Sequence, residues 1–199
     1  MRAQIHNVGD RTSVDDATGA VRSVQTAELE IEEAALEDIW SPTHLERLAR
    51  TYWRFLTRVT LGLIRVHYGE RERSLVLLVN PLRLITFRAP EYELDSTRGL
   101  VRWRIASGLL VARRGREKGG YLQIEVRRLP GEESGRARLH IEVEVANFYP
   151  SIATGLGRRV YNATQSRIHV IITHGFLRSL ARLDLAESRV GRFDPDVGS

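Results

Sequence analysis

The sequence predicts an α+β protein. Its core element is a curved antiparallel sheet of about six to seven strands wrapped on a long C-terminal helix, with a second helix after the first strand. Three observations predict this. Apolar and polar residues alternate with a period of two in many short segments. Compact turn signals such as Pro130-Gly131 join those segments, as between antiparallel neighbours. Two stretches, 42–59 and roughly 155–183, switch to helical spacing.

Taken in order, Met1 to about Ala20 is polar, carries Asp15-Asp16 and shows no periodicity, so it reads as a flexible tail. From Ser23 to Glu32, Ala27, Leu29 and Ile31 alternate with Glu28, Glu30 and Glu32, the signature of a half-buried strand. Ala34 to Trp40 adds a short helical turn. Ser41-Pro42 announces a helix, because serine caps free amides and proline fits the first turn. Its stripe is Leu45, Leu48, Ala49, Tyr52, Phe55, Leu56 and Val59. Beyond Gly62 the period returns to two. Strands are expected over 63–68, 74–79, 82–88, 91–94, 99–105, 121–129 and 138–148, with an edge strand over 108–112. The last helix starts after Pro150 and reaches about Leu183. At 1.5 Å per residue its ~27 residues span about 40 Å, and its apolar stripe must be buried against the sheet. One domain over 21–186 is expected, followed by a second tail over 187–199.

The composition excludes some chemistry. The 199 residues include no cysteine, which removes disulfides, thiolate metal sites and cysteine nucleophiles. The longest uncharged apolar run, 74–82, is too short to cross a bilayer, and no signal-like apolar segment follows Met1. A soluble cytoplasmic protein is expected. Lys118 is the only lysine among 30 basic residues, so arginine usage carries little positional information. Residues 1–40 carry a net charge of −6 and residues 41–199 a net charge of +11. A basic body attracts nucleic acid, an anionic membrane surface or an acidic ligand, or simply keeps the surface solvated.

Strand, helix, a run of antiparallel strands and a long terminal helix form an order that resembles the helix-grip proteins of the START-like, polyketide-cyclase-like (SRPBCC) superfamily. The resemblance covers about residues 21–184 and lies in element order, not in a motif. It implies an apolar ligand held between sheet and terminal helix. One departure is the single long helix after the first strand, rich in Tyr52, Trp53 and Phe55, where the superfamily often has one or two short helices.

Several residues are candidates for a site. On the terminal helix, Tyr161, Thr164, Ile168 and Gly175 face inward; the small ones either leave room for a ligand or let the helix sit close. Asn147 shares a strand face with Leu139, Ile141, Val143 and Val145, so it points toward the core or forms a turn before Tyr149. Trp103 lines a pocket or fills the core. Arg113, Arg114, Arg116 and Lys118 cluster in a glycine-flanked loop, either an anion-binding loop or a solvated hairpin tip. The six histidines are scattered, and no metal-ligand spacing is present. No cofactor motif occurs; Gly155-Leu156-Gly157 is only a fragment of a phosphate-loop pattern.

The leading expectation is a protein that binds an apolar or amphipathic small molecule between sheet and terminal helix. A cyclase- or hydrolase-like enzyme would use the same cavity with a polar dyad inside it, although no catalytic motif is recognised. The third reading is arginine-mediated binding of nucleic acid or an acidic partner, with steep salt dependence. A homo-oligomer is open.

Overall fold

The computed structural model describes residues 4–61, 64–68, 72–77, 83–109, 111, 119–130 and 135–148. The expected terminal helix, the 187–199 tail and the loop carrying Arg113 to Lys118 lie outside the described residues. Among those described, nine strands and two helices form an α+β arrangement with one large antiparallel, unclosed sheet.

The strands are β1 (Gln4–Val14), β2 (Val21–Glu32), β3 (Ile64–Tyr68), β4 (Glu72–Leu77), β5 (Arg83–Arg88), β6 (Glu91–Leu94), β7 (Arg98–Ser107), β8 (Tyr121–Leu129) and β9 (Arg136–Phe148). The helices are α1 (Glu33–Ile39) and α2 (Pro42–Val59), both between β2 and β3. Their spatial order is β1-β2-β9-β8-β7-β5-β4-β3, with β6 beside β7 on the edge that β5 also uses. Hairpins account for most neighbours. The exceptions are β5 with β7, between which β6 intervenes in sequence, and β2 with β9, a pairing that aligns Leu29 with Leu139 and Ala27 with Ile141.

The segment Gln4–Val14, read from the sequence as tail, is a strand paired with β2 along its length. As an edge strand it buries almost nothing, and the register shifts between His6 and Gly9, where Asn7 has φ 49°. With no buried face and a broken register, it leaves no alternation to read. This strand is one reason the count exceeds six to seven.

The sheet's inner face collects Ala27, Leu29 and Ile31 of β2, Leu139, Ile141 and Val143 of β9, Ile124 and Val126 of β8, and Val101, Trp103 and Ile105 of β7, all buried. α1 and α2 lie on this face. Ser41 caps α2 by accepting the His44 amide, and Pro42 occupies the first turn, as the sequence predicts. The buried side of α2 is Leu45, Leu48, Ala49, Tyr52, Trp53 and Leu56. Trp53 therefore takes a core position and Phe55 is only partly buried. The Trp53 ring meets Trp103 edge-on at 5.0 Å and 75°, and Tyr52 and Phe87 lie 5.4 and 5.5 Å away. Such edge contacts add about 0.5–1.5 kcal/mol each beyond the area they bury.

The outer face is polar and internally paired. Glu144 accepts from Arg22 at 2.7 Å and from the Tyr121 hydroxyl at 3.0 Å. Glu125 is 4% exposed and takes hydrogen bonds from Arg98, Arg127 and Gln123. Gln123 in turn accepts two N–H groups of Arg102. The β6–β7 hairpin closes on Asp95, whose Oδ1 accepts the amides of Thr97 and Arg98 and the Thr97 hydroxyl.

Candidate functional site

Where α1 and α2 meet the inner face, packing is incomplete. A cleft of about 70 Å³ runs between them, open to solvent at the α1–α2 junction. Its walls are Leu36 and Ile39 of α1, Leu45 and Leu48 of α2, and inner-face residues of β2, β8 and β9. Gly99 of β7 also lines it. A Cβ built on Gly99 would lie 3.3 Å from Leu94 Cδ1, a tight contact, and 3.5 Å from Leu45 Cδ1, so the glycine lets these two leucines come close to β7. Trp40 is held at the mouth: its indole N–H donates to the Asp95 carbonyl at 2.7 Å, and the Arg128 guanidinium lies 4.5 Å over its ring.

The cleft has two further polar side chains, Ser41 and His44. Ser41 Oγ and His44 Nδ1 are 2.9 Å apart, and Arg47 Nη1 is 3.1 Å from His44 Nε2. A guanidinium only donates, so Nε2 accepts and the imidazole proton sits on Nδ1, directed at Ser41. In this arrangement the ring does not take the serine proton, and the pair lacks the polarity of a nucleophile and its base. Burial, and next the charge of Arg47, hold the His44 pKa below the ordinary histidine value. The imidazole is therefore neutral at pH 7.

Elsewhere on the inner face, Gln25 is 1% exposed. Its Nε2 donates to Asp10 Oδ1 and Ser23 Oγ, while its Oε1 is buried without a hydrogen-bond partner. This buried amide continues the face of Ala27, Leu29 and Ile31 on the same strand, next to Ala27. Among the described residues no three His, Asp or Glu side chains are placed to share a metal ion.

The residues chosen from the sequence fall as follows. Trp103 faces inward but is packed beneath α2, away from the cleft lining. Asn147 does not point inward. β9 carries a bulge where Val21 pairs with Phe148 and Ser23 with Val145. Asn147 is the extra residue, exposed and at φ 50°, and Phe148 takes the inward place at 2% exposure. The alternation from Leu139 to Val145 predicts the opposite, because a bulge shifts the phase by one residue. Asparagine is suited to that backbone. Tyr149, Tyr161, Thr164, Ile168 and Gly175, and the cluster Arg113, Arg114, Arg116 and Lys118, lie outside the described residues.

Sequence reasoning missed Leu36, Trp40, Ser41, His44, Leu94 and Gly99 as cleft residues. Ser41 was legible only as a helix cap. Gly99 was the available signal, since a glycine within an apolar strand marks close approach or open space.

No family model matches the chain, and no curated protein matches it. Among solved structures, it is similar to the protein XoxI from Bacillus cereus, at 15% identity and TM-score 0.35 over 77% of this chain and 95% of that one. It is also similar to an uncharacterised protein from Bacillus thuringiensis, at 14% and 0.32 over 77% and 98%. Human STARD10 matches at 8% and 0.31 over 88% and 76%. Likenesses at this level assign no family.

Proposed function

We propose that this protein binds a small apolar or amphipathic molecule on the inner face of its sheet, in the manner that the resemblance to helix-grip proteins implies. The observation that carries this reading is the apolar cleft at the α1–α2 junction, open at Ser41, His44 and Trp40 and bordered by Gly99. Its volume of about 70 Å³ is roughly half of the ~150 Å³ that admits benzene in an engineered apolar cavity. It therefore suits a short aliphatic chain, or the tip of a longer one, better than a sterol-sized body.

The test uses 1-hexanol as probe. Trp40 lines the mouth, so saturable binding changes the tryptophan fluorescence. Gly99→Ala, which adds a methyl to the cleft wall beside Leu94 and Leu45, weakens the change about tenfold while the far-ultraviolet circular dichroism stays native. A response that rises linearly without saturation, or one that is unchanged in Gly99→Ala, overturns the reading. Native mass spectrometry after mild purification shows whether a ligand accompanies the chain.

A further inference from the structure

The head group of a chain seated in the apolar cleft comes to lie at the mouth, where the polar side chains of the lining are Trp40, Ser41 and His44. Their hydrogen-bonding groups can be accounted for one by one. The Trp40 indole N–H is spent on the Asp95 carbonyl. His44 Nε2 accepts from Arg47, and its Nδ1–H donates to Ser41 Oγ at 2.9 Å. Ser41 Oγ also accepts the His44 amide at 3.4 Å, so both of its lone pairs are used. What is left is the Ser41 hydroxyl hydrogen, which has no acceptor among the described residues. The mouth thus offers one uncommitted donor, and none of these three side chains offers an uncommitted acceptor.

Charge narrows the choice further. The cations beside the mouth already have partners. Arg47 donates to His44. Arg128 lies over Trp40, with Glu37 at 2.8 Å and Glu33 at 3.6 Å from its Nη1. A carboxylate head would meet two glutamates around one occupied arginine. An ammonium head would bring donors to a donor. Deeper in, the walls are Leu36, Ile39, Leu45, Leu48 and Leu94, where a charge without a partner is costly.

We propose that the cleft selects an aliphatic chain carrying a neutral carbonyl oxygen at its head, a short ketone, aldehyde or ester, with Ser41 donating its hydroxyl hydrogen to that oxygen. The carbonyl is held and not attacked, because the His44 tautomer that leaves Ser41 a donor also leaves it without a base. This assignment rests on the cleft being the binding site and names the head group that the site takes.

Ligand-detected NMR titrations of the full chain at pH 7 test it, with 2-hexanone, hexanoate, hexylammonium and 1-hexene as probes of equal chain length. 2-Hexanone binds at least about tenfold tighter than hexanoate or hexylammonium, since neither charge finds a partner. Ser41→Gly removes the hydroxyl where glycine still serves as a helix cap. It lowers 2-hexanone affinity about fivefold, the worth of one hydrogen bond, and leaves 1-hexene, which has no carbonyl, within about twofold. An equal loss for 2-hexanone and 1-hexene makes Ser41 purely structural and overturns the proposal. Hexanoate or hexylammonium binding as tightly as 2-hexanone overturns it without any variant. In both cases saturable binding of 1-hexanol leaves the cleft reading standing. Absence of saturable binding by 1-hexanol and 2-hexanone alike overturns both.

Discussion

Replacing Gly99 by alanine should make the protein more stable and a poorer binder. Gly99 has an ordinary backbone conformation, and its added Cβ meets only the ends of two leucine side chains, at 3.3 Å from Leu94 and 3.5 Å from Leu45. Glycine-to-alanine at a compatible site gains about 0.4–1 kcal/mol by restricting the unfolded chain. The buried methyl adds up to about 0.8 kcal/mol. The tight contact with Leu94 takes back a few tenths, because the leucine must shift slightly. The net gain is about 0.5–1.5 kcal/mol, and about 1 kcal/mol raises the melting temperature by roughly 2–4 °C in a chain of this size. A methyl is about the size of a water, whose share of liquid volume is ~30 Å³, so it occupies a large part of a cleft of about 70 Å³. Hexanol affinity should fall about tenfold, equivalent to roughly 1.4 kcal/mol. Urea denaturation followed by circular dichroism gives the first quantity and fluorescence titration the second. Destabilisation by more than about 1 kcal/mol would show that the site has no room. Unchanged affinity in a stabilised variant would show that the ligand sits elsewhere.

Further outcomes follow from the same packing. Trp103→Ala should cost about 3–5 kcal/mol, and a double-mutant cycle with Trp53→Ala should return a coupling of about 0.5–1.5 kcal/mol in urea melts; additive effects would contradict the edge-on contact. At the β9 bulge, Asn147→Val should cost about 1–2 kcal/mol through its left-handed backbone while Asn147→Gly is neutral. Gly120→Ala should also destabilise, because its Cβ would lie 2.7 Å from the Asn147 carbonyl oxygen. Acid should weaken the fold in two stages. Burial and Arg47 depress the His44 pKa, so the unfolded chain takes up that proton first and stability declines as pH falls below about 6.5. Burial pushes the Glu125 pKa up, but hydrogen bonds from Arg127 and Arg98 outweigh it and hold it low, so a second loss begins as pH falls below about 4.5. Denaturant melts between pH 8 and 3 read both: His44→Gln should remove the upper stage and Glu125→Gln the lower, and a profile unchanged by either variant would refute the assignment.

Local physics made much of the fold readable. The Ser41-Pro42 helix start, the alternation of β2, the Asp95–Arg98 turn and the span of β8 depend on residues a few positions apart, and each is where the pattern puts it. The site was less legible. Its lining comes from α1, α2, β2, β6, β7, β8 and β9, and no short window contains that combination. Tertiary contacts also decided the phase of two elements: Trp53 is drawn to the core by Trp103 and Phe87, and one extra residue in β9 turns Asn147 out and Phe148 in. The edge strand β1 was invisible because it gains hydrogen bonds from β2 without burying a side-chain face. The amino-acid pattern specifies which residues prefer to leave water and at what period. Which partner covers them, and where a gap remains, is settled only when segments far apart in the chain, such as β2 and β9, pack together.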